Sequence, residues 1–224
     1  MFNTLKIGGF KILQLNDGNL LPEAVAYVDK GKAEGINLNY ITNWRTDLEP
    51  LRTSKTMKCL IVNDYPPSMN YDYSAIQSVS SLIHLSVNTA DKKEIDFTAF
   101  PRLTSVALRW RPKASSLFRC TQLKELFLGN YNATDLSQLS ELKNLKYLRI
   151  NLGSVISLSG LQNISGLEEL LLMQATKLED INDILELKNL KYLRIDNCKR
   201  VKSIESIKKM KIPKFEIVGT TPTE

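Results

Sequence analysis

Residues 123–150 read LKELFLGNYNATDLSQLSELKNLKYLRI, and the spacing of their apolar positions changes twice. Leu126 and Leu128 alternate, as a strand with one buried face requires. Leu136, Leu139 and Leu142 then fall three apart, as a 3-10 or short α-helical return with one inward edge requires. Leu148 and Ile150 alternate again. Neither half can bury its leucines alone, whereas stacked coils can, so the pattern predicts a continuous core beneath one parallel sheet.

The motif LxxLxL recurs outward from this stretch. Its clearest copies are Leu123/Leu126/Leu128, Leu145/Leu148/Ile150, Leu167/Leu170/Leu172 and Leu190/Leu193/Ile195, with first residues 22, 22 and 23 apart. Looser copies extend back through Leu103/Val106/Leu108, Leu82/Leu85/Val87, Met57/Leu60/Val62, Ala33/Ile36/Leu38 and Phe10/Leu13/Leu15. Ile212/Phe215/Ile217 extends the series forward, giving ten strands. Spacings in the amino-terminal half run 23, 24, 25, 21 and 20, so the coils there are less regular. Both ends of such a stack need closing. Gly8-Gly9 reads as a hairpin turn that pairs residues 3–7 with the first repeat strand. Lys208 to Lys214 and the tail GTTPTE can blunt the last edge with charge and a proline. The expected organisation is one domain over 1–224, with a hairpin cap at 1–9, repeats at 10–217 and a tail at 218–224.

The array resembles the leucine-rich-repeat family, and most closely its 22-residue bacterial internalin type. The resemblance covers about residues 10–217 and is strongest from Leu123 to Ile195. It implies an α/β, right-handed solenoid with about ten parallel strands on the concave face and 3-10 or short helical segments on the convex face. It also implies a bacterial protein-binding module. Internalins are secreted and carry a helical cap. The start of this chain, MFNTLKIGGFKIL, offers only one Lys before two glycines, no sustained apolar run and no small-residue cleavage site, so a cytoplasmic protein is expected.

In LxxLxL the leucines point inward, so the third, fifth and seventh residues point out. Four successive strands then present Glu125, Phe127, Gly129; Tyr147, Arg149, Asn151; Glu169, Leu171, Met173; and Tyr192, Arg194, Asp196. Phe, Tyr, Met and Arg are the residue types that dominate protein-binding surfaces. A quieter reading pairs Glu125 and Glu169 with Arg149 and Arg194 and leaves the tyrosines covering backbone. The partner-binding candidates are Glu125, Phe127, Tyr147, Arg149, Glu169, Leu171, Met173, Tyr192 and Arg194, with Arg109 and Trp110 added from the shortest coil. There Arg109-Trp110-Arg111-Pro112-Lys113 can stack on a base or clasp a phosphate, or Trp110 can fill the coil. Asparagine at the seventh position (Asn16, Asn39, Asn63, Asn88, Asn151) is expected to bond its own turn. The insertion Asn63-Asp64-Tyr65-Pro66-Pro67, with Tyr71 and Tyr73, makes the longest coil, and a long loop on a rigid scaffold can bind a partner, but its tyrosines are expected to pack on neighbouring loops.

Composition narrows the function. The 224 residues carry a net charge of +6, 43% hydrophobic residues, three cysteines and one histidine. No apolar run reaches the length of a membrane helix. Cys59, Cys120 and Cys198 form no CxxC, and a single imidazole excludes a multi-histidine metal site, so neither metal nor cofactor is expected. Cys59 and His84 occupy the same outward slot on adjacent strands, but nothing supplies an orienting group or oxyanion hole. Glu168-Glu169 and Glu179-Asp180 are sequence neighbours without acid/base geometry, and no phosphate-cradling glycine loop is present. The expectation is a non-enzymatic, monomeric module that holds another protein on its concave sheet, an adaptor or a toxin-immunity protein. A net basic chain favours an acidic partner. The alternative is nucleic-acid or acidic-ligand binding through Arg109–Lys113 and the cluster Lys199, Arg200, Lys202, Lys208, Lys209, Lys211 and Lys214, which contains one acid, Glu205.

Overall fold

The computed structural model describes residues 2–38, 48–63 and 72–220. Asn39, the insertion at 64–67 with Tyr71, and the tail from 221 lie outside the described residues. The chain forms two compact units, Met1–Ala107 with Arg111–Leu117, and Leu108–Trp110 with Phe118–Glu224.

In the first unit, β1 (Asn3–Ile7) runs antiparallel to β2 (Phe10–Gln14), with Ile7 opposite Phe10. Gly8 and Gly9 both take positive φ, 55° and 85°, which a two-residue turn of this hand requires. From β2 onward the pairing is parallel, through β3 (Gly35–Leu38), β4 (Cys59–Asn63) and β5 (His84–Asn88). Leu13, Ile36, Leu60 and Leu85 stand opposite one another, so the repeat register read from the sequence is the register of the sheet. A Cβ on Gly35 would lie 2.1 Å from the Cys59 carbonyl oxygen, which is why only glycine fits there.

The chain returns through α1 (Leu21–Asp29), α2 (Tyr73–Gln77) and short 3-10 turns at Gly18–Leu20, Glu49–Thr53 and Phe97–Ala99. Helix α1 buries Leu21, Ala24, Val25 and Val28, one stripe at helical spacing, and ends where Gly31 turns left-handed at φ 71°. Its last residue, Asp29, accepts hydrogen bonds from the backbone N–H groups of Lys55 and Thr56 and from the Thr56 hydroxyl. A single carboxylate thereby ties the helix end to the following coil.

Strand β6 (Ser105–Arg109) and the 3-10 segment Pro112–Arg119 run across the division between the units. The second unit holds β7 (Glu125–Gly129), β8 (Tyr147–Asn151), β9 (Glu169–Met173), β10 (Tyr192–Asp196) and β11 (Lys214–Val218). Leu126, Leu148, Leu170, Leu193 and Phe215 are in register. The 3-10 turns Ser137–Leu139, Leu161–Asn163 and Asn182–Glu186, then α3 (Glu205–Lys208), form the return side. Apolar side chains of both periodicities close the core: Leu126, Leu128, Leu148 and Ile150 from the strands, Leu136, Leu139, Leu142, Leu158 and Leu161 from the returns, all buried. At about 25 cal/mol per Å² of apolar surface, each leucine contributes roughly 2 kcal/mol of burial before entropic costs.

Polar side chains join successive coils. Asn144 Nδ2 donates to the Thr121 carbonyl and Asn189 Nδ2 to that of Ser165, both at 2.9 Å. Asp135 and Asp180 accept the N–H two residues ahead and so open the returns with a tight turn. The residue after each regular strand is left-handed: Asn130, Leu152, Gln174 and Asn197 have φ between 53° and 57°. Each donates its N–H to the last carbonyl of the next strand, at 2.8–3.0 Å, so this turn carries the ladder one step beyond the sheet.

Candidate protein-binding face

The outer face of β7 to β10 displays the side chains that the LxxLxL register sends outward. Glu125, Tyr147 and Arg149 are exposed, while Phe127, Glu169, Leu171, Met173, Tyr192 and Arg194 are half-buried. Tyr147, with 41% of its surface open, is the most exposed aromatic of the group. The pairing aligns three columns: Glu125, Tyr147, Glu169 and Tyr192; Phe127, Arg149, Leu171 and Arg194; and Gly129, Asn151, Met173 and Asp196. Neighbours within a column stand about 4.8 Å apart, close enough for one partner residue to touch two or three.

The charged side chains do not follow the lateral Glu–Arg pairing weighed above. The guanidinium of Arg194 binds Asp196 Oδ2 at 2.6 and 3.2 Å and Glu216 Oε2 at 3.2 Å. Glu216 also accepts from the Tyr192 hydroxyl at 3.0 Å and pairs with Lys214 at 3.2 Å. Lys214 Nζ lies 4.0 Å from the centre of the Tyr192 ring. The bonds from Tyr192 and then Lys214 hold the Glu216 carboxyl below the ordinary glutamate range. Arg149 instead lies over the Phe127 ring, 4.8 Å from its centre. The reason is local: β11 brings Glu216 beside Arg194, whereas the strands beside Arg149 bring Phe127 and Leu171. The expected self-bonding of strand-exit asparagines also fails at Asn151, whose Oδ1 is buried without a hydrogen-bond partner.

In the short coil the structure departs further from the sequence reading. Arg111 is no surface cation: it is 1% exposed and belongs to the first unit, with Nη1 bonded to Asp91 at 2.9 Å and Nη2 to the Thr89 hydroxyl at 2.6 Å. Its guanidinium stacks 5.4 Å from the Tyr73 ring centre, and the Tyr73 hydroxyl donates to Asp91. Burial alone would raise the Asp91 carboxyl, but the Tyr73 bond, the Lys93 N–H and Arg111 outweigh it and leave it below the ordinary aspartate value. In the second unit Trp110 fills its coil, with ring centres 5.1 Å from Phe118 and 5.2 Å from Tyr131, and Nε1 donates to Asn132. Arg109 and Lys113 are exposed. The segment therefore offers no intercalating aromatic flanked by three free cations. In the carboxy-terminal basic cluster Lys202 pairs with Glu179, Lys208 with Glu205 and Lys214 with Glu216, which leaves Lys199, Arg200, Lys209 and Lys211 as exposed cations.

In the first unit Cys59 and His84 stand opposite each other on β4 and β5. Burial pushes the Cys59 thiol up to about 12, so it carries negligible thiolate at neutral pH, and His84 Nδ1 is engaged with the Ser105 hydroxyl at 2.8 Å. Such a pair makes no activated nucleophile. Among the described residues no group of three or more His, Cys, Asp or Glu side chains can hold a metal ion, and no helix is long and apolar enough to cross a membrane.

No family model matches the chain, and a search of curated proteins finds no relative. Solved structures do match it. An internalin (inlF) from Listeria monocytogenes is 21% identical with a TM-score of 0.60, over 86% of this chain and 62% of that one. This chain thus spans less than two thirds of that internalin structure. An internalin C2 from the same organism is 21% identical with a TM-score of 0.51, over 94% of this chain and 80% of that one. Registered strands, inward leucines and short returns therefore build here the leucine-rich-repeat solenoid fold that these internalins have.

Proposed function

We propose that this chain is a non-enzymatic module that holds a protein partner on the outer face of β7 to β10. One observation carries the reading: Phe127, Tyr147, Leu171 and Met173 stand on the sheet side facing away from the core, each partly open to solvent. Apolar and aromatic side chains in adjoining columns form a contiguous patch, and such patches on soluble proteins mark interaction sites. The fold likeness supports the class of function. A cytoplasmic, monomeric adaptor or toxin-immunity protein acting as a single domain is the specific form proposed, since a rigid sheet that occupies a partner's surface needs no chemistry of its own.

The test is affinity capture from native cells with the wild-type chain and with the combined variant Phe127→Ala, Tyr147→Ala, Leu171→Ala and Tyr192→Ala. A protein retained by the first and lost by the second, with circular dichroism unchanged, is the expected result. Equal capture by both would overturn the reading. Capture abolished by nuclease would move it to nucleic acid through the exposed cations Lys199, Arg200, Lys209 and Lys211.

A further inference from the structure

The sequence ELKNLKYLRI occurs twice, at 141–150 and 186–195, and so provides a comparison inside the molecule. The two copies place Tyr147 and Tyr192, then Arg149 and Arg194, at the same strand positions with identical local sequence. Their arginines meet different surroundings. Arg194 has Asp196 two residues on and Glu216 in register on the next strand, and both carboxylates bind it. Arg149 has Asn151 where Arg194 has Asp196, and Leu171 where Arg194 has Glu216.

Among the described residues Arg149 has no carboxylate partner, and Glu169 on the next strand has no cation partner. The Phe127 ring centre lies 4.8 Å from the Arg149 guanidinium carbon without neutralising its charge, and the arginine remains exposed. An exposed arginine held by an aromatic ring and bordered by Leu171 and Tyr147 loses little rotamer freedom when it binds. Its planar fork matches a carboxylate.

Resting on the binding face proposed above, we propose that Arg149 is the seat for a carboxylate of the partner, an aspartate or glutamate beside an apolar residue that packs on Phe127 and Leu171. The Arg194 site shows the mode of binding, because there the protein's own carboxylates occupy the same arginine at 2.6–3.2 Å. Where those carboxylates are replaced by an amide and a leucine, the partner supplies the charge. A phosphorylated group would satisfy the guanidinium as well, but the apolar flanks favour a segment carrying a carboxylate next to a hydrophobic side chain.

The experiment pans a random twelve-residue displayed peptide library against the full chain and measures affinities of the enriched peptides for variants. Peptides combining Asp or Glu with a neighbouring apolar residue are expected. Arg149→Gln should weaken them about tenfold or more, the scale of a charge-assisted hydrogen bond. Asn151→Asp, which gives Arg149 the carboxylate that Asp196 gives Arg194, should weaken them similarly with the arginine intact. Arg149→Glu should shift selection to Lys- or Arg-bearing peptides. Enrichment of no acidic sequence, or of one indifferent to both Arg149→Gln and Asn151→Asp, overturns the carboxylate seat. If the enriched peptides still depend on Phe127→Ala and Tyr147→Ala, the binding face stands without it; independence from those variants too would remove the face itself. Free phosphotyrosine competing better than a free carboxylate would also overturn it.

Discussion

Leu152 occupies the left-handed position that ends each regular strand, at φ 54°, with 52% of its surface exposed. A side chain with a Cβ is strained there by about 1 kcal/mol, and asparagine tolerates the conformation better. Asn130 and Asn197 hold the equivalent turns in other coils. Leu152→Asn is therefore expected to raise stability by roughly 0.5–1 kcal/mol in urea unfolding, since the N–H bond to Met173 is kept. A lower midpoint would show that Leu152 packs on the surface more than its exposure indicates. The sequence does not reveal this residue, because leucine in a leucine-rich array reads as core and only the backbone angle separates the turn from it. Arg111 is hidden from sequence for a related reason. Its partners Asp91 and Tyr73 lie 20 and 38 residues away, so a cation that closes a buried network looks like one of a basic surface group.

At the level of strands and coils the sequence is far more informative. An alternating pair of buried leucines can face the core in one register alone, since a slip of one residue would send both to solvent. Strand positions and the outward columns were legible for that reason. Which outward charges pair was not, because each choice depends on the neighbouring strands, as the two copies of one decapeptide demonstrate. The second residue of each repeat forms a further column, in which Glu168 bridges Lys146 at 3.3 Å and Lys191 at 2.7 Å. Hydrogen bonds from Lys191 and then Lys146 hold the Glu168 carboxyl below its ordinary 4.5, and the bond to Glu168 raises Lys191 above 10.5. The glutamate's contribution is present above the unfolded-chain value and fades as pH falls through the lower folded one. The lysine's is present below 10.5 and fades as pH rises through its raised value. Glu168→Gln should thus lower the urea midpoint slightly at pH 7 and progressively less as pH falls below 4.5, with the difference shrinking in high salt because the ladder is solvated. A gap that does not shrink on acidification would assign the effect to packing instead of charge.

Across the whole molecule the +6 net charge is unevenly distributed, and among the described residues the cations of the carboxy-terminal cluster outside its salt bridges are Lys199, Arg200, Lys209 and Lys211. Charges of this kind act at a distance, within about 10 Å at ordinary ionic strength, and bring an acidic partner in faster without holding it once bound. An apolar and aromatic face of the kind proposed for β7 to β10 acts only on contact, and on that reading its loss shows in dissociation. The two contributions separate experimentally. Replacing the four cations by glutamine should slow association with an acidic partner several-fold at low salt, leave the dissociation rate unchanged, and flatten the dependence of association on ionic strength. Phe127→Ala with Leu171→Ala should do the reverse, speeding dissociation at every salt concentration while association stays near wild type. Surface plasmon resonance against the captured partner reads both rates. Faster dissociation after the glutamine replacements would place the basic cluster inside the interface, and the contact surface would then extend past β10 onto the last coil.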